Sequence, residues 1–231
     1  MNNNILELNG LSIEILQRLS FKSHLPLSLN RTLRHFDKTE LIKELTDMTN
    51  WLDEQTLLAD VALDYRIKSL ESIVGKYNRY YPNKPVKQVF NDVLGFRAFC
   101  DTYKEILDFD KELFHIADMS HGKMDDDGYR GVHVYFQIDN SFYPIEIQFN
   151  TLYDRQINNW LHDYLYKKDF PNTVGCIMRK KYENGLIKTD IEFEEVLRDV
   201  FSGCLGYSKT WLLCVENYAW KAFGRIKKIF K

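Results

Sequence analysis

The residue pattern with most chemical potential lies in segment 131–150, where apolar and polar residues alternate. Such alternation is typical of a half-buried β-hairpin, whose two faces differ in polarity. A two-residue turn at its centre would set His133 opposite Gln148 and Tyr135 opposite Glu146, and only this kind of register keeps both apolar sets together. The polar face would then collect an imidazole, a carboxylate and two amides, groups that transfer protons and bind polar ligands. A water-facing sheet surface is the alternative, because it produces the same alternation.

A second group of candidate residues lies in segment 66–76 and is rich in cations. A helix would place Arg66, Ser69 and Lys76 within about 80° of one another. Lys68 falls off this stripe, so either its side chain reaches round the helix or the helix begins close to it. An ordinary solvated helix face is the alternative to a ligand site.

Helices and strands that could position these residues follow from local patterns. Leu41, Leu45 and Met48 recur at helical spacing, and Thr189 with Glu192 forms a capping box. The pattern predicts an α+β fold, with a mixed, mostly antiparallel sheet flanked by helices and with extra N- and C-terminal helices. The predicted helices lie within residues 1–80 and at 103–113, 152–168, 189–201 and from 208 onward. The predicted strands lie at 89–100, 114–119, 131–138 and 142–150, followed by a hairpin of 177–182 and 186–188 around Asn184 and Gly185.

The composition excludes several classes of protein. The 231 residues are 45% hydrophobic and 28% charged, which suits a folded domain with its own core. A formal net charge of −2 gives no overall field that attracts nucleic acid, so an anionic partner would need a local basic cluster. The four cysteines lack metal-ligand spacing, and a chain of this size needs no disulfide framework. Because the sequence contains neither a secretory signal nor an apolar run long enough to span a membrane, we expect a cytoplasmic protein.

Four ordered segments resemble the synthetase domain of the RelA/SpoT family. The order and spacing agree over about residues 60–168, and the chain is most similar to the small, single-domain members. The resemblance implies a nucleotidyltransferase-like synthetase core at residues 59–170, between an N-terminal helical region at 1–58 and a hairpin with C-terminal helices at 171–231. The segments are 66–76 with RIKSLESIVGK, 92–97 with DVLGFR, Lys123 followed by 128–133 with GYRGVH, and 146–151 with EIQFNT followed by Trp160, His162, Tyr166 and Lys167.

The resemblance implies an ATP-dependent pyrophosphokinase, which moves a diphosphate from ATP to a nucleotide 3′-hydroxyl. It also implies that Asp92 and Glu146 are catalytic and hold Mg²⁺, and that Glu146 orients or deprotonates the attacking hydroxyl. Arg97 is either a structural partner of a carboxylate or a phosphate ligand. The residues implied to bind ATP are Arg66, Lys68, Ser69 and Lys76. Those implied to bind the acceptor are Lys123, Tyr129, His133, Gln148, His162 and Lys167, with Tyr129 stacking on the base.

The identity of the acceptor depends on where the sequence departs from the family pattern. Asn150 stands where an arginine is common, Gly131 replaces a usual serine, and aspartates 125–127 fill the loop after Lys123. Fewer cations and more carboxylates disfavour GDP or GTP, whose 5′-phosphates need fixed positive charge. We therefore favour the toxin–antitoxin branch of the family, which modifies the 3′-terminal adenosine of tRNA. Synthesis of (p)ppGpp from GDP or GTP is the alternative, with the aspartates in a solvated turn, and an inactive nucleotide-binding or partner-binding protein is the second alternative.

Basic clusters and the last helix are the candidate surfaces for macromolecular partners. Clusters at 179–181, at 225–231 and within 22–38 could hold tRNA through its phosphates, although solvated surface lysines are the alternative. The predicted last helix has a broad aromatic face and a basic end. That face would pack within the domain, pair with a second subunit in a homo-oligomer, or bind a protein antitoxin.

Overall fold

A five-stranded sheet lies at the centre of the computed structural model, which describes residues 4–166 and 170–203. Its strands are β1 (Asp64–Ile67), β2 (Leu94–Phe99), β3 (Phe114–Asp118), β4 (Val132–Phe136) and β5 (Ile145–Asn150). They follow the order β1-β2-β5-β4-β3, in which β2 and β5 are parallel and the other neighbours are antiparallel. The predicted α+β class, with a mixed and mostly antiparallel sheet, is confirmed.

Helices precede, interrupt and follow the strands. Several begin with a side-chain cap, which satisfies one of the free N–H groups at a helix start. In the helix that begins at Lys38, the carboxylate of Asp37 accepts a hydrogen bond from the backbone N–H of Glu40. In the helix that begins at Leu152, the hydroxyl of Thr151 accepts one from the backbone N–H of Asp154. The helices are α1 (Asn4–Leu8), α2 (Ile13–Arg18), α3 (Lys38–Asp53), α4 (Leu57–Asp60), α5 (Leu70–Tyr80), α6 (Val86–Val89), α7 (Lys104–Leu107), α8 (Leu152–Tyr164), α9 (Asn172–Glu183) and α10 (Asp190–Gly203).

The β4–β5 hairpin has the register that the alternating pattern predicts. His133 pairs with Gln148 and Tyr135 pairs with Glu146. The connecting turn is closed by a 3.1 Å hydrogen bond from Phe142 N to the carbonyl of Asp139, so it is centred on residues 140–141. The register is fixed because a slip of one residue would move every apolar side chain to the opposite face.

The apolar face of the sheet packs against the N-terminal helices. Phe96, Val134 and Ile147 of the sheet and Leu41 and Leu45 of α3 are fully buried in one hydrophobic cluster. A second cluster joins α8, α9 and α10. Burial of this apolar area is the main driving force that seats the helices on the sheet. Because the N-terminal helices cover one face, the polar side chains of the hairpin lie on the other.

A buried carboxylate also ties the N-terminal helices to the hairpin. Glu44 of α3 accepts hydrogen bonds from the Ser23 hydroxyl at 2.7 Å and from the Tyr143 hydroxyl at 2.8 Å. Burial and the Glu44 carboxylate raise the pKa of Tyr143 well above its ordinary value. Tyr143 therefore remains a hydrogen-bond donor, and the link orients α3 on the sheet.

The hairpin predicted at residues 177–188 is wrong, since residues 172–183 form helix α9. Val174, Met178 and Tyr182 recur every four residues and are buried along one side of this helix. Gly185, with φ of 73°, follows the helix, and its N–H and that of Leu186 bond back to the last turn. The Asn-Gly pair is therefore a helix stop, which needs a residue in the left-handed region just as a hairpin turn does.

The helix predicted through residues 66–80 begins later than expected. Arg66 lies on strand β1, and α5 starts only at Leu70, so the shared helical stripe of Arg66 and Lys76 is wrong. The strand predicted from residue 89 begins at Leu94, and the helix predicted at 103–113 is reduced to the single turn of α7. Strand β1 was missed because it is a short edge strand whose residues are mostly exposed, so it lacks the alternation of a half-buried strand. The predicted last helix lies outside the described residues.

Candidate active site

Asp92, in the turn before β2, gathers three cations. Its Oδ2 is 2.6 Å from Lys68 Nζ, its Oδ1 is 2.9 Å from Lys76 Nζ, and Arg66 Nη2 is 3.8 Å from Oδ2. The Lys68 side chain is only 6% exposed and that of Asp92 12%. The structure thus brings three of the predicted ATP-binding side chains to one predicted metal ligand.

Helix α5 begins directly at this cluster. Ser69 is the N-cap and its hydroxyl accepts a 3.4 Å hydrogen bond from Ser72 N, so of the two alternatives for Lys68 the helix begins beside it. The N–H groups of the first turn carry partial positive charge and favour anions. Burial lowers the pKa of Lys68, although Asp92 acts in the opposite direction. The helix end and the lysines together form a site whose charge suits phosphate.

Glu146, the second predicted metal ligand, lies near the start of β5, opposite Gly95 of β2. His133 Nδ1 is 3.0 Å from its Oε1, and the Tyr135 hydroxyl donates to the same oxygen at 3.2 Å. Gln148 Nε2 donates to Oε2 at 2.7 Å. The three neighbours hold the carboxylate in one orientation on the polar face of the sheet.

These neighbours also set the charge of Glu146. Burial by itself would raise the pKa of Glu146, but hydrogen bonds from His133, Gln148 and Tyr135 outweigh it and leave the pKa below its ordinary value. Glu146 is therefore ionised at neutral pH. The pKa of Tyr135 is raised by burial first, then by Glu146, with Asp92 also contributing, so the phenol stays protonated. Strand pairing brings the two carboxylates to adjacent strands, because Gly95, three residues after Asp92, pairs with Glu146.

His133 connects Glu146 to Tyr129. The Tyr129 hydroxyl is 2.7 Å from His133 Nε2, and the two rings meet edge to face. Because a carboxylate can only accept, we assign the ring proton to Nδ1, and Nε2 then accepts from the Tyr129 hydroxyl. Burial raises the pKa of Tyr129 to about 12, so this hydroxyl remains a donor.

The loop before Tyr129 neutralises most of its own charge. Lys123 pairs with Asp127 at 2.8 Å, and its Nζ lies 5.1 Å from the centroid of the Tyr129 ring. Arg130 binds both oxygens of Asp126 at 2.7 and 3.0 Å, and hydrogen bonds from Arg130 are the main cause that lowers the pKa of Asp126 to about 2. Two of the three loop aspartates are therefore paired within the loop.

A buried arginine fixes this loop to the helices. Arg179 Nε donates to the carbonyl of Gly128 at 2.8 Å, Nη1 is 2.6 Å from Asp154 Oδ1, and Nη2 donates to Asn158 Oδ1 at 3.0 Å. The side chain is 1% exposed. The basic cluster predicted at 179–181 is corrected here, because its arginine has a structural role and is withdrawn from the surface.

The absence of a side chain at Gly131 makes room for its neighbours. A Cβ at this position would lie 2.5 Å from Asn150 Nδ2 and 2.7 Å from the Tyr129 hydroxyl. Asn150 Nδ2 donates to the carbonyl of Arg130 at 2.8 Å. The two departures from the family pattern at positions 131 and 150 are thus in contact with each other.

Two of the residues considered in the sequence, His162 and Arg97, make their contacts elsewhere in the described chain. His162 is on the exposed side of α8, and its Nδ1 is 3.2 Å from Asp163 Oδ1. Lys167 lies outside the described residues. Arg97 binds Asp64 at 3.0 Å, which makes it the partner of a neighbouring carboxylate.

Two side chains of the polar face were missed as site residues. Tyr135 was detectable, because the predicted register already placed it opposite Glu146. Arg155 of α8 lies over Phe99, with 5.5 Å from its guanidinium carbon to the ring centroid. Which side of α8 faces the sheet depends on tertiary packing, so no sequence signal indicated Arg155.

Asp92 and Glu146 are the residues that could hold Mg²⁺. Magnesium prefers hard oxygen ligands and is commonly held by one or two carboxylates, with phosphate and water completing the shell. The donor set fits this preference. No group of three or more His, Cys, Asp or Glu side chains suited to a metal ion occurs within residues 4–166 and 170–203.

The comparison with protein families decides the assignment. Residues 65–170 match the family described as a region found in RelA and SpoT proteins. This segment is therefore similar to RelA/SpoT-type synthetase domains. It contains every predicted site residue, and it confirms the predicted enzyme class, a pyrophosphokinase of the RelA/SpoT type. Among the helices of the described chain, none is long and apolar enough to cross a membrane.

Solved structures of small alarmone synthetases from Bacillus subtilis are similar to the chain. Synthetase 1 bound to its product pppGpp is 19% identical over 73% of this chain and 90% of its own, with a TM-score of 0.39. Synthetase 2 is 18% identical over 74% of this chain and 100% of its own, with a TM-score of 0.40. No curated protein sequence matches the chain.

Proposed function

We propose that this protein transfers the β,γ-diphosphate of ATP to the 3′-hydroxyl of a nucleotide. The observation that carries the proposal is the position of two clusters on one sheet face: Asp92 with its three cations, and Glu146 with His133. Strands β2 and β5 are parallel neighbours, and Gly95, three residues after Asp92, pairs with Glu146. A cationic site for the phosphates of ATP therefore adjoins a base for the attacking hydroxyl.

The proposed reaction assigns a separate task to each cluster. The 3′-oxygen attacks the β-phosphorus of ATP, and the bond from that phosphorus to the oxygen bridging the α-phosphate breaks, so that AMP leaves with the bonding electrons. Glu146 takes the hydroxyl proton, and His133 keeps the carboxylate oriented. Lys68 and Lys76 donate to phosphate oxygens and offset the charge of the transferred group. When bound by Asp92 and Glu146, Mg²⁺ supplies further positive charge at these oxygens.

We favour the 3′-terminal adenosine of tRNA as the acceptor because of a basic surface beside the site. Leu33 N bonds the carbonyl of Lys84 at 3.0 Å and Lys87 N bonds that of Leu29 at 2.9 Å. These backbone bonds join residues 29–33 to residues 84–87. The basic surface consists of Lys22, Arg31, Arg34, Lys84 and Lys87.

A cavity of about 680 Å³ connects this basic surface with the site. Lys87 of the basic surface lines it, together with Lys111, His115 and Tyr135. Tyr135 also donates to Glu146, so the cavity opens next to the proposed base. A polynucleotide, whose chain continues beyond the reacting nucleoside, would extend through this cavity to the basic surface, whereas a single nucleotide would leave most of the cavity empty.

Synthesis of (p)ppGpp from GDP or GTP is the second candidate, and one observation favours it. The loop aspartates were expected to repel the 5′-phosphates of a free nucleotide, but Asp126 and Asp127 are paired with Arg130 and Lys123. Their negative charge is therefore largely offset within the loop. This weakens the sequence argument against a guanine nucleotide.

With tRNA as acceptor, the protein would act as the toxin of a toxin–antitoxin pair. A diphosphate on the terminal 3′-hydroxyl would block aminoacylation and stop translation. ATP and tRNA meet in the cytoplasm, where we expect the enzyme to work. A protein antitoxin would then be needed to restrain it.

Incubation with β-labelled ATP and, in separate reactions, deacylated tRNA, GDP and GTP tests the proposal. Label on tRNA is the expected result, and tRNA whose 3′-terminal ribose has been oxidised with periodate before the reaction should accept none. Label on GDP or GTP alone would assign the second candidate. Binding of ATP without transfer to any acceptor would indicate the inactive nucleotide-binding alternative. The Glu146→Gln variant is the matched control, because it keeps the size of the side chain and removes the base.

A further inference from the structure

Two donor atoms of the half-buried Arg155 are left without a hydrogen-bond partner in the described chain. Its Nε and Nη2 atoms are buried, and neither has a hydrogen-bond partner among the described residues. The guanidinium lies over the ring of Phe99, which is on the polar face at the end of β2. Buried donors of a charged group normally find an acceptor, and leaving them without one is unfavourable.

The two unpaired donors have a specific geometry. Nε and Nη2 form one edge of the planar guanidinium and point in parallel, so together they match two oxygens of one carboxylate or phosphate. No acidic side chain of the described chain forms an ion pair with Arg155. Burial lowers the pKa of Arg155 and Arg97 lowers it further, whereas Asp64 acts in the opposite direction. The guanidinium is therefore suited to an anion that comes from outside the chain.

A second buried atom without a partner lies in the same neighbourhood. Asn150 Oδ1 has no hydrogen-bond partner in the described chain, while Asn150 Nδ2 is engaged with the backbone. Asn150 and Arg155 both counteract the burial that raises the pKa of Tyr129 to about 12, so both act on the Tyr129 hydroxyl. A ligand at this place would meet two donors and one acceptor, a combination that phosphate and ribose groups of a nucleotide can satisfy.

Arg155 and the proposed site for the phosphates of ATP lie at opposite ends of strand β2. Lys68 and Lys76 meet Asp92 before the first residue of β2, whereas Arg155 lies over Phe99, its last residue. At a rise of about 3.3 Å per residue, the two ends of this strand are about 17 Å apart. A triphosphate held by the two lysines is too short to reach Arg155 with its phosphates.

We propose that Arg155 binds the 5′-phosphate of the acceptor nucleotide and thereby selects phosphorylated acceptors. This inference rests on the proposed function, which supplies an acceptor whose 3′-oxygen approaches Glu146. The 5′-phosphate would be that of a free nucleotide or the phosphodiester that precedes the terminal nucleoside of an RNA. The family pattern commonly has an arginine at position 150, where this chain has Asn150. Arg155 of helix α8 would supply that positive charge instead.

Acceptors that differ only in this phosphate test the inference. Guanosine is compared with GMP and GDP, and adenosine with the dinucleotide cytidylyl-adenosine, in the wild type and in Arg155→Met and Arg155→Lys. Loss of hydrogen bonds to a charged group predicts that Arg155→Met raises the KM for phosphorylated acceptors about 10- to 100-fold. The KM for ATP and the use of guanosine and adenosine should stay unchanged, and Arg155→Lys should restore part of the loss.

Several outcomes would overturn the inference. Equal losses for acceptors with and without the phosphate, or a change confined to the KM for ATP, would assign Arg155 another role. Arg18→Met is the matched control, since Arg18 is exposed on α2, and thermal melting shows whether each variant is folded. If the wild type transfers diphosphate to none of these acceptors, the proposed function fails. Equilibrium dialysis of GMP and cytidylyl-adenosine against wild type and Arg155→Met would then still show whether Arg155 binds the phosphate.

Discussion

Replacement of Asp92 by asparagine should impair stability as well as activity, because Asp92 is the counterion of a buried lysine. Lys68 is 6% exposed and its Nζ lies 2.6 Å from Asp92 Oδ2. When one partner of a buried ion pair is removed, the uncompensated charge destabilises the fold by about 3–5 kcal/mol. That is a large part of the 5–15 kcal/mol typical of a domain.

A double substitution separates the stability that is lost through the unpaired charge of Lys68 from the stability that is lost through other effects of the asparagine. The Lys68→Met variant loses the buried cation but keeps Asp92 paired with Lys76 at 2.9 Å. The free energy of unfolding of this variant should therefore fall by less than about 2 kcal/mol. Asp92→Asn combined with Lys68→Met should regain most of the stability lost in Asp92→Asn alone. All three variants should lose diphosphate transfer, because each lacks a group that holds or neutralises phosphate.

Urea unfolding, followed by tryptophan fluorescence at two pH values, measures these effects. In Asp92→Asn the pKa of the buried Lys68 is lower in the folded than in the unfolded chain. The unfolded chain therefore binds more protons between the two pKa values, and stability should rise from pH 7 to pH 9. An Asp92→Asn variant as stable as the wild type, or additive losses in the double variant, would refute the reasoning from the buried pair.

The remaining predictions concern Glu146, Tyr129 and Gly131. Glu146→Gln should reduce the transfer rate by about 10²–10⁴-fold with unchanged circular dichroism, since it removes the base and keeps the shape; near-normal turnover would exclude Glu146 as the base. Tyr129→Ala should raise the acceptor KM by the loss of about 1–3 kcal/mol of stacking, with Tyr129→Phe close to wild type, and equal effects of both variants would point to the hydroxyl instead. Gly131→Ser should lower the free energy of unfolding by about 1–3 kcal/mol, because its Cβ would lie 2.5 Å from Asn150 Nδ2; an unchanged urea midpoint would contradict this.

Local patterns predicted the parts of the fold that depend on neighbouring residues. The alternation in segment 131–150 predicted both strands and the pairing of Tyr135 with Glu146, since period two and one buried face admit a single register. The capping box of Thr189 and Glu192 likewise marked the start of α10, where Glu192 N donates to the Thr189 hydroxyl at 3.2 Å.

The same local logic failed where one signal serves two structures. Asn184 and Gly185 were interpreted as a hairpin turn, but a helix C-terminus needs the same backbone conformation, and only the burial of Met178 and Tyr182 distinguishes the two. Arg66 was placed on a helix because β1 is too short and too exposed to show a strand pattern. In both cases the sequence did not show which side of the segment is buried by the rest of the fold.

The sequence by itself determined the residue types of the site, the hairpin register and the family resemblance, because these depend on residue order and on spacing of two to four residues. Tertiary structure alone decided that Lys68 is buried against Asp92, that Arg179 is buried and holds the loop, and that two donor atoms of Arg155 have no hydrogen-bond partner. These contacts join residues that are far apart in the chain. Their geometry follows from how helices pack on the sheet, and burial then fixes which charges are paired and which remain for a ligand.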